Sequence, residues 1–320
     1  MRALHPPNSA ATSASCSRRQ GLLTETKGQV RIMAPNLGAR MLRIAAFTTL
    51  SFLTSTIAIA QSTSPAFQRG EYLVNAVMAC DSCHTPRASG GLNMARRFSG
   101  GPQLWDEPWY RVRGSNITQD KETGIGSWSH DDVKRLLVEG IRPNGVPVAH
   151  QMPYPFYKIL TPSDLDAVAT YVRSVPAIRN EVQPPEYKAS APNVSVPGGE
   201  KSIGDQVPID PVKRGFYLAT IANCMECHSR SPQGDSWDFQ GRGGHVMPGS
   251  KALVKNITSH PTKGIGAWSD DEIKQALVKG VARDGRRFAG PMQREVYYSK
   301  LTDEDLNALV AWVRSIPAAE

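Results

Sequence analysis

The chain has 320 residues, room for roughly two domains, with 40% hydrophobic and only 7% aromatic residues. Its net charge of +8 is uneven: residues 1–60 hold seven Lys/Arg and one Glu, or +6, which leaves +2 for the rest. A nearly neutral body offers no basic surface for nucleic acid, and the pI of about 9.3 is mostly a property of the N-terminal segment.

In chain order, residues 1–60 read as a leader. Within it, residues 41–60 form a signal peptide: Arg40-Met41-Leu42-Arg43 is a short basic region, residues 44–60 are apolar and uncharged, and Ala58-Ile59-Ala60 is a small-residue cleavage site before Gln61. Residues 1–32 carry no fold signal, which points to a start at Met33 or Met41. The competing reading is an uncleaved membrane anchor, for which a run of 17 apolar residues is marginal.

The first helix is expected over residues 67–80, with Tyr72, Leu73, Ala76 and Val77 at helical spacing. It leads into Cys80-Asp-Ser-Cys83-His84. A middle helix begins at Ser129, followed by two acids, and a last one at Thr161-Pro162-Ser163-Asp164, where Thr caps and Pro takes the first helical position. Residues 179–208 hold Pro184, Pro185, Pro192, Pro197 and Pro208 without apolar periodicity and read as a linker. The same elements then return: a helix over 216–224, Cys224-Met-Glu-Cys227-His228, a helix start at Ser269 and another at Thr302. Arg69-Gly70, Asn116-Ile117-Thr118 and Gly124-Ile125-Gly126 recur as Arg214-Gly215, Asn256-Ile257-Thr258 and Gly264-Ile265-Gly266, always 140 to 145 residues on. One module, 61–178, is therefore duplicated as 209–320. No alternating strand pattern is present, so both modules are expected to be all-α.

Two Cys-x-x-Cys-His motifs 144 residues apart, each inside a matching stretch, are the attachment signature of c-type haem. Cys80 and Cys83, and likewise Cys224 and Cys227, are spaced to form thioethers to the two vinyl groups. His84 and His228 then face the iron as proximal ligands. A zinc site or a redox dithiol would not need the His that follows the second Cys. The fifth cysteine, Cys16, lies in the leader, so none is left for disulfides. The sixth ligands are expected to be Met152, 68 residues after His84, and Met292, 64 after His228. They occupy matching places, each beside a Pro that stiffens the loop. Met94, Met247, His150 and His245 are the rivals. About 110 residues per module is small, so two covalently bound haems c would complete the cores. His130 and His260 are expected to be exposed, and Trp128 and Trp268 to pack in the core.

The stretches around Asn116-Ile117-Thr118, Gly124-Ile125-Gly126-Ser127-Trp128-Ser129 and Met152-Pro153-Tyr154-Pro155-Phe156-Tyr157, with their second-half counterparts, resemble the multi-haem class I cytochrome c subunits of periplasmic alcohol, aldehyde and gluconate dehydrogenases. The resemblance covers roughly residues 65–320. It departs in having two motifs where many members have three, and in reading Pro291-Met292-Gln293-Arg294 in the second half. It implies an all-α fold of two tandem class I cytochrome c domains joined by a Pro-rich linker, with axial pairs His84/Met152 and His228/Met292. It also implies a non-enzymatic electron carrier of the periplasm. The donor would be a periplasmic dehydrogenase subunit and the acceptor a cytochrome, quinone or oxidase, with peripheral inner-membrane association left open. The alternatives are a diheme redox enzyme of the peroxidase or thiosulfate dehydrogenase type, and a sensor. A pair of Met ligands closing both irons argues against the first.

Overall fold

The computed structural model describes residues 64–191, 193–229, 241–246 and 252–320. The leader, its segment 41–60, Gln61 and Met247 lie outside them. Ser64 opens α1 (Pro65–Tyr72) by accepting from the Phe67 amide at 3.1 Å. The chain continues as a π-helical turn, Leu73–Val77. The repeat explains this turn. The segment from Arg69 to Cys80 is one residue longer than that from Arg214 to Cys224, and a π turn absorbs one extra residue without ending the helix.

A short helix, α2 (Asp81–His84), carries the first motif. It is followed by a hairpin, β1 (Arg87–Ala88) with β2 (Gly91–Leu92), and by strands β3 (Leu104–Asp106) and β4 (Tyr110–Arg113). Helix α3 (His130–Glu139) has a capping box between Ser129 and Asp132 and ends at left-handed Gly140. Next come α4 (Tyr154–Tyr157) and α5 (Pro162–Val172), the latter capped by Thr161. After β5 (Glu186–Tyr187), the second half supplies α6 (Pro211–Ile221) and the motif helix α7 (Cys224–His228). Helix α8 (Asp270–Lys279) repeats the capping box with Ser269 and Glu272, and α9 (Glu295–Tyr298) and α10 (Asp303–Ser315) complete the chain.

Helices dominate, but the expected all-α fold needs correction. Strands β3, β4 and β5 form an antiparallel sheet whose third strand comes from the 179–208 segment. Strands of two to four residues are too short to show alternation, so the sequence pattern gave no sign of them. The 179–208 segment also lies along both halves: Val196 is buried, the Ile203 amide donates to the Ile159 carbonyl at 3.0 Å, and Gly198 lies against Phe216.

Helix α1 packs across α5, and α6 across α10. Each crossing turns on one glycine. A Cβ on Gly70 would lie 1.9 Å from the Ala167 carbonyl oxygen, and one on Gly215 would lie 2.0 Å from that of Ala308. The repeated Arg-Gly thus marks two helix crossings that only glycine permits.

The arginines before those glycines have matching roles. Arg69 makes a two-pronged bond to Asp164 at 2.8 Å for each contact, while Arg214 bonds Asp305 at 2.6 Å. Each carboxylate also accepts a tyrosine hydroxyl from the other half: Tyr217 to Asp164 and Tyr72 to Asp305, both at 2.6 Å. The halves are therefore joined by two equivalent Arg–Asp–Tyr bridges around carboxylates that are only 3% and 1% exposed. A single apolar cluster runs between the halves, from Leu73, Val77 and Phe156 to Tyr217, Leu218 and Trp312.

Burial and then the bond to Asp305 push the Tyr72 hydroxyl up to about 12, from an ordinary value of 10. An acid raised on folding keeps its proton in the native state while the unfolded chain loses it. Its stabilising contribution is therefore complete below pH 10 and is lost as pH rises through 10 to 12. Melting temperatures measured from pH 8.5 to 12 should fall more steeply for the native chain than for Tyr72→Phe; parallel curves would count against this account.

Candidate functional site

Both motifs are delivered by the same device. The residue before the first cysteine has a left-handed backbone: Ala79 at φ 53° and Asn223 at φ 60°. Asn tolerates this conformation, whereas Ala adopts it at a cost of about 1 kcal/mol or more. The bend ends the preceding helix and starts a new helical turn, which places the two cysteines one turn apart with the histidine at its end.

The two histidines are held alike. His84 Nδ1 lies 2.7 Å from the Ser115 carbonyl oxygen, and His228 Nδ1 lies 2.7 Å from that of Lys255. A carbonyl oxygen only accepts, so each Nδ1 carries the proton and each Nε2 keeps its lone pair. That is the tautomer of an axial ligand oriented by a backbone partner. Burial lowers both imidazole pKa values and favours the neutral ring. The carbonyls of the two histidines accept from Gly100 and Gly243 at 2.8 Å in each case. A Cβ on Gly101 would lie 1.9 Å from the Cys83 carbonyl oxygen, so this loop runs directly against the motif backbone.

Among the described residues, the four motif cysteines form no disulfide. Burial pushes Cys80 up to about 12 and Cys224 up to about 11. A redox dithiol needs the opposite shift, toward thiolate. The donor set, the tautomer and the one-turn spacing fit a covalently attached haem.

The loops bearing the two methionines also match. Val148 donates to Gly140 at 2.7 Å and Phe288 to Gly280 at 2.8 Å; the Met152 carbonyl then accepts from Tyr154 and that of Met292 from Arg294. Met152 is half-buried against the core, while Met292 ends a 3-10 turn, Gly290–Met292, and is half-buried. Of the rivals, Met94 is 56% exposed. The His150 ring sits edge-on to Tyr110 at 5.3 Å. His245 is buried and close enough to His228 to depress its pKa further, after burial and against the pull of the Lys255 bond.

The roles of Asp81 and His130 were not legible in the sequence, whereas that of the paired asparagines was. Asp81, inside the first motif, is buried and accepts from Arg97 and Thr85, a network with no matching residue at Met225. Asn116 and Asn256 tie their loops to the chain after α5 and α10, donating to Ile178 at 2.8 Å and Ala319 at 2.7 Å; their repetition in the sequence was the available signal. His130, expected to be exposed, is half-buried and bonds Asp166 at 2.9 Å. Trp128 packs against the core as expected.

Residues 212–317, which hold the second motif and the helices around it, match the family Cytochrome c. That segment is similar to a cytochrome c domain. A cytochrome c domain implies covalently bound haem c. The chain as a whole is 29% identical to the fructose dehydrogenase cytochrome subunit of Gluconobacter japonicus over 87% of its own length and 60% of that protein's. It is 29% identical to the gluconate 2-dehydrogenase cytochrome c subunit of Pantoea cypripedii, covering 85% and 64%. A diheme cytochrome c-type protein of Cereibacter sphaeroides is 29% identical over 75% of this chain and 83% of its own. The chain thus spans less than two thirds of the length of the two dehydrogenase subunits. The resemblance to dehydrogenase cytochrome c subunits stands on these matches. Among the described residues, no helix is long and apolar enough to cross a membrane.

Proposed function

We propose that the chain is a diheme c-type cytochrome that passes electrons from a periplasmic dehydrogenase to a downstream respiratory acceptor. The observation that carries this reading is the matched setting of the two motifs: left-handed entry, one helical turn, and a histidine whose Nδ1 donates to a backbone carbonyl. In this reading residues 61–178 and 209–320 are tandem class I domains joined by the 179–208 linker. Cys80, Cys83, Cys224 and Cys227 hold the haems by thioethers, His84 and His228 are proximal ligands, and Met152 and Met292 are the sixth ligands.

Haem c ligated by His and Met supplies a one-electron iron couple with no open coordination site. The chain's own residues keep the imidazoles neutral and oriented, and the Arg–Asp–Tyr bridges hold the two sites in a fixed relation. The names of the relatives support a dehydrogenase as donor; a cytochrome, a quinone or an oxidase would accept. Export through the 41–60 signal peptide would place the protein in the periplasm, where peripheral contact with the inner membrane is compatible with its partners. An electron carrier of this kind is not itself an enzyme.

The second reading is a diheme redox enzyme, which would need an unusual or exchangeable sixth ligand at one iron. The visible spectrum of the reduced mature protein, with and without carbon monoxide, separates the two. An unchanged spectrum supports two closed irons and the carrier. A shift in about half of the haem would reject the carrier reading and call for assays with peroxide and sulfur compounds. Met152→Ala should open the first site to carbon monoxide and lower its potential, and unchanged behaviour would dismiss Met152 as the ligand.

A further inference from the structure

The two halves differ by one residue between the methionine and the last helix: Met152 to Thr161 spans nine positions and Met292 to Thr302 spans ten. In the first half, Tyr154 covers Gly140, its ring 2.7 Å from where a Cβ would stand. In the second half, Glu295 takes that place over Gly280, at 2.9 Å. The extra residue leaves Arg294 free of this packing role, with no counterpart in the first half.

Arg294 is half-buried, and its Nε donates to the Pro291 carbonyl at 3.1 Å. The helix that follows it, α9, buries Tyr297 and Tyr298 against Ala79, the residue before the first motif. On the other side of the same interface, Tyr157 of the first half is buried in the apolar cluster that also holds Ala222 and Met225, on either side of Cys224 in the second motif. Each motif is thus capped by tyrosines of the opposite half, and Arg294 lies where the motifs meet. Cys83 of one motif and Cys224 and Cys227 of the other are all within its electrostatic reach. Glu226 acts on Cys83 with the opposite sign, and Glu295 is the next residue in the chain.

We propose that Arg294 is a positioning cation shared by the two haem sites, and that its fixed charge raises the reduction potentials of both. This rests on the diheme reading above. Reduction adds one negative charge to each site, so a fixed positive charge nearby in a poorly hydrated interface favours the reduced form. Placed between the sites, it acts on both and moves both potentials in the same direction.

The test is a spectroelectrochemical titration of the holoprotein and of three variants, with haem per chain measured separately. Arg294→Gln should lower both midpoint potentials, by about tenfold in each one-electron equilibrium, or about 59 mV. Arg294→Lys should restore most of the shift, which a purely packing role would not do. Glu226→Gln should move the potentials upward. Unchanged potentials in Arg294→Gln at full haem content would overturn the proposal. Should that variant fail to hold its haems, an unmoved potential in Glu226→Gln would overturn it equally. A wild-type chain with fewer than two haems would refute the diheme reading instead.

Discussion

Asp164→Ala should lower the free energy of unfolding of the holoprotein by about 3–5 kcal/mol, the usual result of removing one partner from a buried ion pair. Asp164 is 3% exposed and accepts from Arg69 at both oxygens and from Tyr217 across the interface. Its loss leaves a half-buried guanidinium without its counter-charge and a buried hydroxyl without its acceptor, and both keep their desolvation cost. Asp305→Ala should behave alike, since it strands Arg214 and Tyr72. Glu304→Ala is the control. It also pairs with Arg214, at 2.7 Å, but is 71% exposed, so its removal should cost under about 1 kcal/mol. Denaturant unfolding measures all three. Similar losses for Asp164→Ala and Glu304→Ala would show that burial is not what gives the bridge its strength.

How much of this could be read beforehand depends on the range of the interactions. The caps at Ser129, Thr161, Ser269 and Thr302 were legible because a cap is written within four residues, and the structure has all of them. The attachment motifs are equally local. The interface is not. Tyr72 and Asp305 are separated by 233 residues and Tyr217 and Asp164 by 53. Nothing around Tyr72 or Tyr217 distinguishes a hydroxyl that bridges the halves from one that caps its own. The duplication shows that whatever one copy does the other can do, but not that each copy completes the other. Register also hid two features. The extra residue before Cys80 and the extra residue around Arg294 appear in the sequence only as drifts in the repeat offset, and folding turns them into a π turn and a reoriented cation.

On the proposed diheme reading, Cys224→Ser with Cys227→Ser should halve the covalent haem, from two per chain to one, and lower the melting temperature by on the order of 10 °C. The size follows from the geometry of the core. Leu218, Ile221 and Met225 belong to the same apolar cluster as Leu73, Val77 and Phe156. A flat apolar body lost beside α6 and α10 therefore exposes surface that the first half also relies on. With about 110 residues per half, there is little other core to compensate. At roughly 2–4 °C per kcal/mol for a chain of this size, a loss of several kcal/mol gives the stated shift. Because the cluster and the two Arg–Asp–Tyr bridges are shared, the variant should still melt in one transition, as should its counterpart with Cys80 and Cys83 replaced. Two separate transitions would mean that the halves fold independently and the bridges only dock them. An unchanged haem content after loss of Cys224 and Cys227 would mean that the second motif is not an attachment site at all.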